Sequence, residues 1–259
     1  MNTTPDPGSA FSLAGRTVLV TGGTRGIGRA ISLQLARAGA AVLANYARND
    51  GAAQALADAA AAESLALGTV RGDLSTPKGM TAVQEALAGV APGRLSIVHA
   101  AASGVHRPIE ALTLRHWDFT FALNVRAFFE LVQLLRPQLG EGSAIVPISS
   151  AGAVRAVHAY AAIGSSKGAL ESLARHLAAE LAPSGIRVNV VSPGSVLTEA
   201  WDAFPDKDRR AAEAVARTPA GRLVTPAEVA SLVHFLLTPA SSGIVGQTLV
   251  IDNGARIVD

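Results

Sequence analysis

A chain of 259 residues, 49% apolar and 16% charged, can bury a sizeable core and reads as globular rather than disordered. Its formal charge of +2, with 22 basic residues spread along the chain, marks no nucleic-acid surface and no polybasic tail. Cysteine is absent, which excludes disulfides, thiolate metal sites and cysteine nucleophiles.

The opening MNTTPDPGSAFSL has neither the basic nor the apolar stretch of a secretory signal, and residues 1–12 read as a flexible tail. No apolar run reaches membrane-spanning length without a Gly, Pro or charge in it, so a cytoplasmic location is expected. With no repeat and no composition break, residues 13–259 are read as one domain.

The first predicted strand, TVLVT at 17–21, runs into TGGTRGIGRAISLQLARAG and a helix over 26–38. Gly22 and Gly26 permit a tight turn and a close backbone approach to a pyrophosphate, while Gly28 permits close helix–strand packing. The helix would aim its free N–H groups at the phosphates. The spacing is Gly-x3-Gly-x-Gly, not the usual Gly-x-Gly-x2-Gly, and a glycine-rich turn without a ligand is the plain alternative. Its position between a strand and a helix favours the dinucleotide site.

The second strand, 41–45, ends in NYARND, where an NAD site usually has an acid. Here Arg48 stands close by, the first acid is delayed to Asp50, and Arg25 adds a cation inside the glycine loop. Two guanidinium groups suit a 2′-phosphate, so NADPH is the expected cofactor; two ordinary surface arginines would look the same. Beyond a helix at 51–63 and a strand at 68–72 comes Asp73, placed to accept from the adenine amino group or simply to cap its own turn. Helices at 77–89, 113–136, 157–182 and 226–237 then alternate with strands at 95–100, 143–149, 186–192 and 247–252. The strands are near-continuous apolar runs, as strands covered on both faces should be. This alternation predicts βαβ units and a doubly wound, seven-stranded parallel sheet with helices on both faces.

Tyr160 is one of two tyrosines and Lys167 one of three lysines. On a helix over 157–182, seven positions (167 − 160 = 7) return to roughly one face. A half-buried aromatic and a snorkelling surface lysine are the plain alternatives. His99, His106 and His158 lack metal-ligand spacing and read as ordinary hydrogen-bonded histidines; no metal site is expected.

TGGTRGIG at 21–28, Asp73, Asn124 in LNV, Ser150 in PISS, Tyr160, Lys167 and SPG at 192–194 resemble the short-chain dehydrogenase/reductase superfamily over almost the whole chain. The resemblance implies a Rossmann fold, a nicotinamide cofactor and an Asn124–Ser150–Tyr160–Lys167 catalytic group. It implies cofactor contacts at Gly22, Thr24, Arg25, Gly26, Ile27, Gly28, Arg48, Asp73, Leu74, Ala100, Ala101, Tyr160, Lys167, Pro193, Gly194, Val196 and Thr198. The usual carbonyl-reducing members have Tyr-x3-Lys; this chain has Tyr-x6-Lys, the spacing of enoyl-thioester reductases. The interval from Ser150 to Lys167 equals the usual serine–tyrosine and tyrosine–lysine spacings added together. The lysine has therefore stayed and the tyrosine has moved, from the place of Ile163 to 160. Three helical residues carry the phenol about 4.5 Å along the axis. That suits conjugate reduction, in which the charged oxygen lies two bonds beyond the carbon that receives hydride. Lys167 is expected to lower the phenol's pKa and to hold the ribose. Ser150 is expected to support rather than to be essential. Asn124 is expected either to relay a water to Lys167 or to sit in a backbone-satisfied kink.

AAASGVHRPIEAL, HWDFTFALN, YAAIGSSKGALE, FPDKDRRAAEAVARTPAGRLV and GQTLVIDNG further resemble NADPH-dependent enoyl-acyl-carrier-protein reductases of the FabL type. His99-Ala100 and Asp252-Asn253-Gly254 depart from the residues common at those places. The expected function is reduction of an enoyl thioester carried by acyl-carrier protein or coenzyme A. A 3-oxoacyl or other ketone reductase is the alternative, and a non-catalytic NADPH-binding subunit the alternative from another class. Residues 195–221 are expected to form a substrate lid in which Trp201 and Phe204 cover the acyl chain. A homotetramer is expected from the resemblance, supported by apolar surfaces on the 157–182 helix and the C-terminal segment.

Overall fold

The computed structural model describes residues 9–199 and 207–258. The strands are β1 (Thr17–Thr21), β2 (Ala41–Tyr46), β3 (Leu67–Arg71), β4 (Leu95–His99), β5 (Ala144–Pro147), β6 (Arg187–Val188), β7 (Val190–Pro193) and β8 (Thr248–Ile251). The helices are α1 (Gly26–Arg37), α2 (Asp50–Ala62), α3 (Pro77–Leu87), α4 (Leu114–Phe121), α5 (Ala127–Leu134), α6 (Ala161–Leu181), α7 (Lys207–Ala216) and α8 (Pro226–Leu237). Six strands pair in the order β3-β2-β1-β4-β5-β6, all in parallel, and β7 pairs with β8. A bridge between Ile148 and Val191 joins the two sheets. This is the doubly wound Rossmann-like architecture.

The sixth strand, expected unbroken over 186–192, is interrupted at Asn189. Its amide Nδ2 donates to the Ile244 carbonyl at 2.7 Å and its Oδ1 accepts from the Gln247 N–H at 2.9 Å. The side chain thus stitches β7 to the approach of β8. The expected helix over 113–136 is likewise divided, by a π-helical turn at Ala122–Arg126. The 157–182 helix begins only at Ala161.

β1, β4 and β5 are buried almost throughout, which explains why their sequences read as continuous apolar runs. On one face Ile31 and Leu35 of α1 pack with Val229 and Val233 of α8; on the other, Val83, Phe128, Leu131 and Leu170 fill the core. Leu170, Ala174 and Ala178 of α6 belong to this core, while Leu173, Leu177 and Leu181 of the same helix are only partly buried; Val250, Ile257 and Val258 near the C-terminus are exposed. Local signals agree with the helix starts. Thr76 caps α3 ahead of Pro77, and Thr225 and Glu228 form a capping box around Pro226 at the start of α8. The strand order reverses between β1 and β4, which opens a crevice at the carboxyl ends of the strands.

Arg187 on β6 closes the far end of α8. Its guanidinium donates to the carbonyls of Leu236, Thr238 and Ser241 at 2.9–3.1 Å and to Ser241 Oγ at 2.8 Å. These are the acceptors a helix C-terminus leaves open, and a cation there is favoured by the helix dipole. Arg187→Met is expected to lower unfolding stability by about 3 kcal/mol, read as a fall of several degrees in Tm. An unchanged Tm would mean that water replaces the guanidinium without loss.

Candidate active site

The loop after β1 has the geometry that its glycines demand. Gly22 and Gly26 are left-handed, with φ +63° and +50°. A Cβ on Gly28 would lie 2.0 Å from the Gly22 carbonyl oxygen, and one on Gly22 would lie 2.9 Å from the Ala101 backbone. Larger residues would therefore push α1 off the loop and the loop off β4. Arg25, at the N-cap of α1, makes no side-chain cap, so the first N–H groups of the helix are left for another acceptor. Thr198, from the segment after β7, approaches to 3.5 Å from where a Gly26 Cβ would stand. The cleft is thus bounded on both sides.

At its adenosine end Arg25 and Arg48 are exposed. Arg48 lies 3.7 Å from Asp73, whose carboxylate accepts from the Ser75 N–H at 3.0 Å and Ser75 Oγ at 2.6 Å. The Ser75 hydrogen bonds, and then the Arg48 charge, hold Asp73 below its ordinary pKa. Asp73 therefore caps its own turn while facing an arginine. Thr24, Leu74, Pro193 and Val196 are buried, Leu74 and Val196 within the hydrophobic core, and the Ala101 N–H donates to Thr21 Oγ1 at 3.1 Å. Ile27 packs against the core beside Ala100, and the Gly194 N–H donates to the Ile251 carbonyl.

Tyr160 is not on the helix. It is the N-cap of α6, after a left-handed Ala159 with φ +56°, so a turn and not helical periodicity sets its position. Its ring leaves no space for a Cβ on Gly152, and the His106 ring centroid lies 5.1 Å from its own. The phenol oxygen is 3.4 Å from Ser150 Oγ. Burial raises the phenol's pKa and the Ser150 hydrogen bond opposes that rise. Burial outweighs the hydrogen bond, so the phenol's pKa is raised, where a lowering by Lys167 was expected. Ile163, four positions before the lysine, is buried, and a Cβ on Gly104 would lie 2.2 Å from its Cγ1.

Lys167 is buried, not snorkelling, and its Nζ donates to the Ile148 carbonyl at 2.7 Å. Burial lowers its pKa to about 8, against the pull of Glu171. His99 is wholly buried and held neutral, with a pKa of about 3, by burial and by the nearby Lys167 charge; its Nδ1 meets Thr21 Oγ1 at 3.0 Å. Asn124 lies in the π-helical turn. Its Oδ1 accepts from the Ser103 N–H, and its Nδ2 donates to the Ser103 carbonyl and to Ser166 Oγ, at 2.9–3.0 Å. Its side chain thus fastens the 101–104 loop to α6. This is the kinked alternative, with a latch added.

A cleft of about 530 Å³ opens beside Tyr160, lined by Arg107, Ile109, Arg155, Val157 and His158. Trp201 and Phe204 lie outside the described residues; of the expected lid, Lys207–Ala216 forms α7. Sequence reasoning missed Gly104, Gly152, Ser149 and Glu171. Only Glu171 carried a legible signal, as an acid beside Leu170 on the apolar stripe of α6.

A family model described as enoyl-(acyl carrier protein) reductase matches residues 22–256. The chain belongs to the short-chain dehydrogenase/reductase family. The 1-cyclohexenylcarbonyl-CoA reductase of Streptomyces collinus is 37% identical to this short-chain reductase over 246 residues, covering 93% of this chain and 86% of that one. A tropinone reductase homologue of Arabidopsis thaliana is 38% identical over 255 residues, covering 96% and 93%. The crystal structure of a gluconate 5-dehydrogenase from Burkholderia cenocepacia, in complex with NADP and tartrate, superposes with a TM-score of 0.87 at 29% identity, over 98% of this chain and all of that one. The glycine loop, with no Cβ in its path and an uncapped helix start beside two exposed arginines, fits such a dinucleotide.

Two outcomes follow for this reductase. Turnover is expected to fall as pH rises through about 8, where Lys167 loses its proton, and not at a pH set by the phenol. Tyr160→Phe is expected to cut kcat by about 10²–10⁴-fold while leaving cofactor binding intact. A rate–pH profile without a break near 8, or a Phe variant of full activity, would remove these roles.

Proposed function

We propose that this oxidoreductase is an NADPH-dependent 2-enoyl-thioester reductase, acting on an acyl group carried by coenzyme A or acyl-carrier protein. The reading rests above all on one observation. The phenol stands at the N-cap of α6 beside Ser150, while the place four residues before Lys167 is filled by a buried Ile163. The description of the matching family model supports it, as does the name of the Streptomyces relative, which denotes a reductase of a thioester with a conjugated ring alkene.

The cofactor would be held by the glycine loop, by Arg25 and Arg48 at the 2′-phosphate, by Thr198 across the cleft and by Lys167, and would supply a hydride for the β-carbon. The Tyr160 hydroxyl donates a hydrogen bond to the thioester oxygen, where negative charge accumulates. Its raised pKa suits a donor that must keep its proton until charge develops. Ser150, 3.4 Å from the phenol, steadies the same oxygen.

The second reading, reduction of a 3-oxoacyl thioester or other ketone, draws on the same Ser150–Tyr160 pair, which can also grip a carbonyl oxygen. The tropinone reductase homologue favours it as well. NADPH oxidation with crotonyl- and acetoacetyl-coenzyme A, measured side by side, separates the two. Oxidation with crotonyl-coenzyme A is expected; oxidation with acetoacetyl-coenzyme A alone would overturn the enoyl reading. Arg48→Ala is expected to weaken NADPH binding about tenfold and to leave NADH nearly unchanged, since only the former carries a phosphate for the guanidinium. Equal losses would assign Arg48 to holding Asp73 and not to choosing the cofactor.

A further inference from the structure

Three consecutive residues just past β5 each grip α6 or its N-cap residue. The Ile148 carbonyl accepts from Lys167 Nζ at 2.7 Å, Ser149 Oγ donates to Glu171 Oε1 at 2.6 Å, and Ser150 Oγ meets the Tyr160 hydroxyl at 3.4 Å. The first and third contacts belong to groups with roles in the reaction. The second has none. Ser149 is 4% exposed and Glu171 5%, so a carboxylate has been taken out of water and held by a neutral hydroxyl. Among the described residues no basic side chain comes within ion-pair distance of it. Such burial is costly unless another charge shares the site.

That charge is Lys167, one turn earlier on the same helix, where residues four apart share a face. The titratable groups that act on Lys167 are His99 from β4 and Glu171 on its own helix. His99 is neutral. Burial of Lys167 drives the ammonium toward losing its proton, and Glu171 opposes this.

We propose that Glu171, locked in place by the Ser149 hydroxyl, is a positioning residue whose buried carboxylate keeps Lys167 protonated while the strand end holds its ammonium. It touches neither substrate nor cofactor and acts through the lysine. The role applies to a short-chain reductase of either substrate class. It does not depend on the enoyl reading.

The chain has only three lysines, which makes the test direct. Protein carrying lysine labelled with ¹³C at Cε is titrated by NMR, and the Lys167 resonance is assigned by its loss in Lys167→Met. In the wild type the resonance should titrate near 8. In Glu171→Gln its midpoint should fall by about one pH unit or more, the scale of losing an opposite charge at short range. Ser149→Ala should move it the same way by less, and Glu171→Asp should restore most of the shift. The fall in turnover with rising pH should follow the same order, with KM for the thioester unchanged. A purely structural glutamate would lower Tm and leave the midpoint in place. A folded Glu171→Gln whose Lys167 titrates as in the wild type overturns the proposal. If Glu171→Gln does not fold, an unshifted midpoint in Ser149→Ala overturns it. Because the resonance is read without substrate, failure of the crotonyl assay leaves this test standing.

Discussion

Burying one ammonium at the carboxyl edge of a parallel sheet imposes most of the order around this site. Lys167 has lost its water, so its charge must be met by the protein, and a strand-end carbonyl and a carboxylate one turn along α6 meet it. The same charge keeps His99 neutral, which lets that ring lie in the core against Phe128 at the end of β4. The ends of β4 and β5 and the first turns of α6 are therefore coupled through one proton site. Polar groups in such a place are tightly constrained, since each one left without its partner would cost more than its contact contributes.

The phenol shows how backbone detail decides chemistry. Three residues along a helix would carry it about 4.5 Å and leave it on the same face. Instead the chain leaves helical geometry at Ala159, and Tyr160 packs its ring on Gly152 beside His106. Its hydroxyl still reaches Ser150, but from a turn. The space it would have occupied within the helix is closed by Ile163 under the Gly104 backbone. Asn124 fastens that same loop to α6 from the π-helical turn, a local irregularity of the kind often found where a helix serves a site. The wall against the helix is thus apolar and tight, while the side next to Tyr160 is open, with Arg107 and Arg155 at the mouth of the cleft.

Much of this was legible in the residues. The βαβ alternation followed from continuous apolar runs, because a strand covered on both faces has no polar side to show. The glycine loop was legible because left-handed turns and close backbone contacts demand glycine wherever the chain goes next. Asp73 could be narrowed only to two roles, since a turn cap and a ligand acceptor need the same residue type. The helix starts at Thr76 and Thr225 were written locally, in a cap, a proline and, at α8, an acid three residues on.

By itself the sequence determined the fold class and the cleft at the strand ends, and named Tyr160 and Lys167 as candidate site residues. Each of these depends on short-range pattern: apolar period, turn residues and spacing. What only the tertiary structure decided is the electrostatics of that pair. Whether the phenol's pKa rises or falls depends on burial and on which neighbours face it, and periodicity along α6 gives neither. The break at Asn189, the latch from Asn124 and the Ser149–Glu171 contact join residues 21 to 58 positions apart. No local pattern encodes a contact across that distance, because its geometry exists only once the sheet has brought the strand ends to the helix.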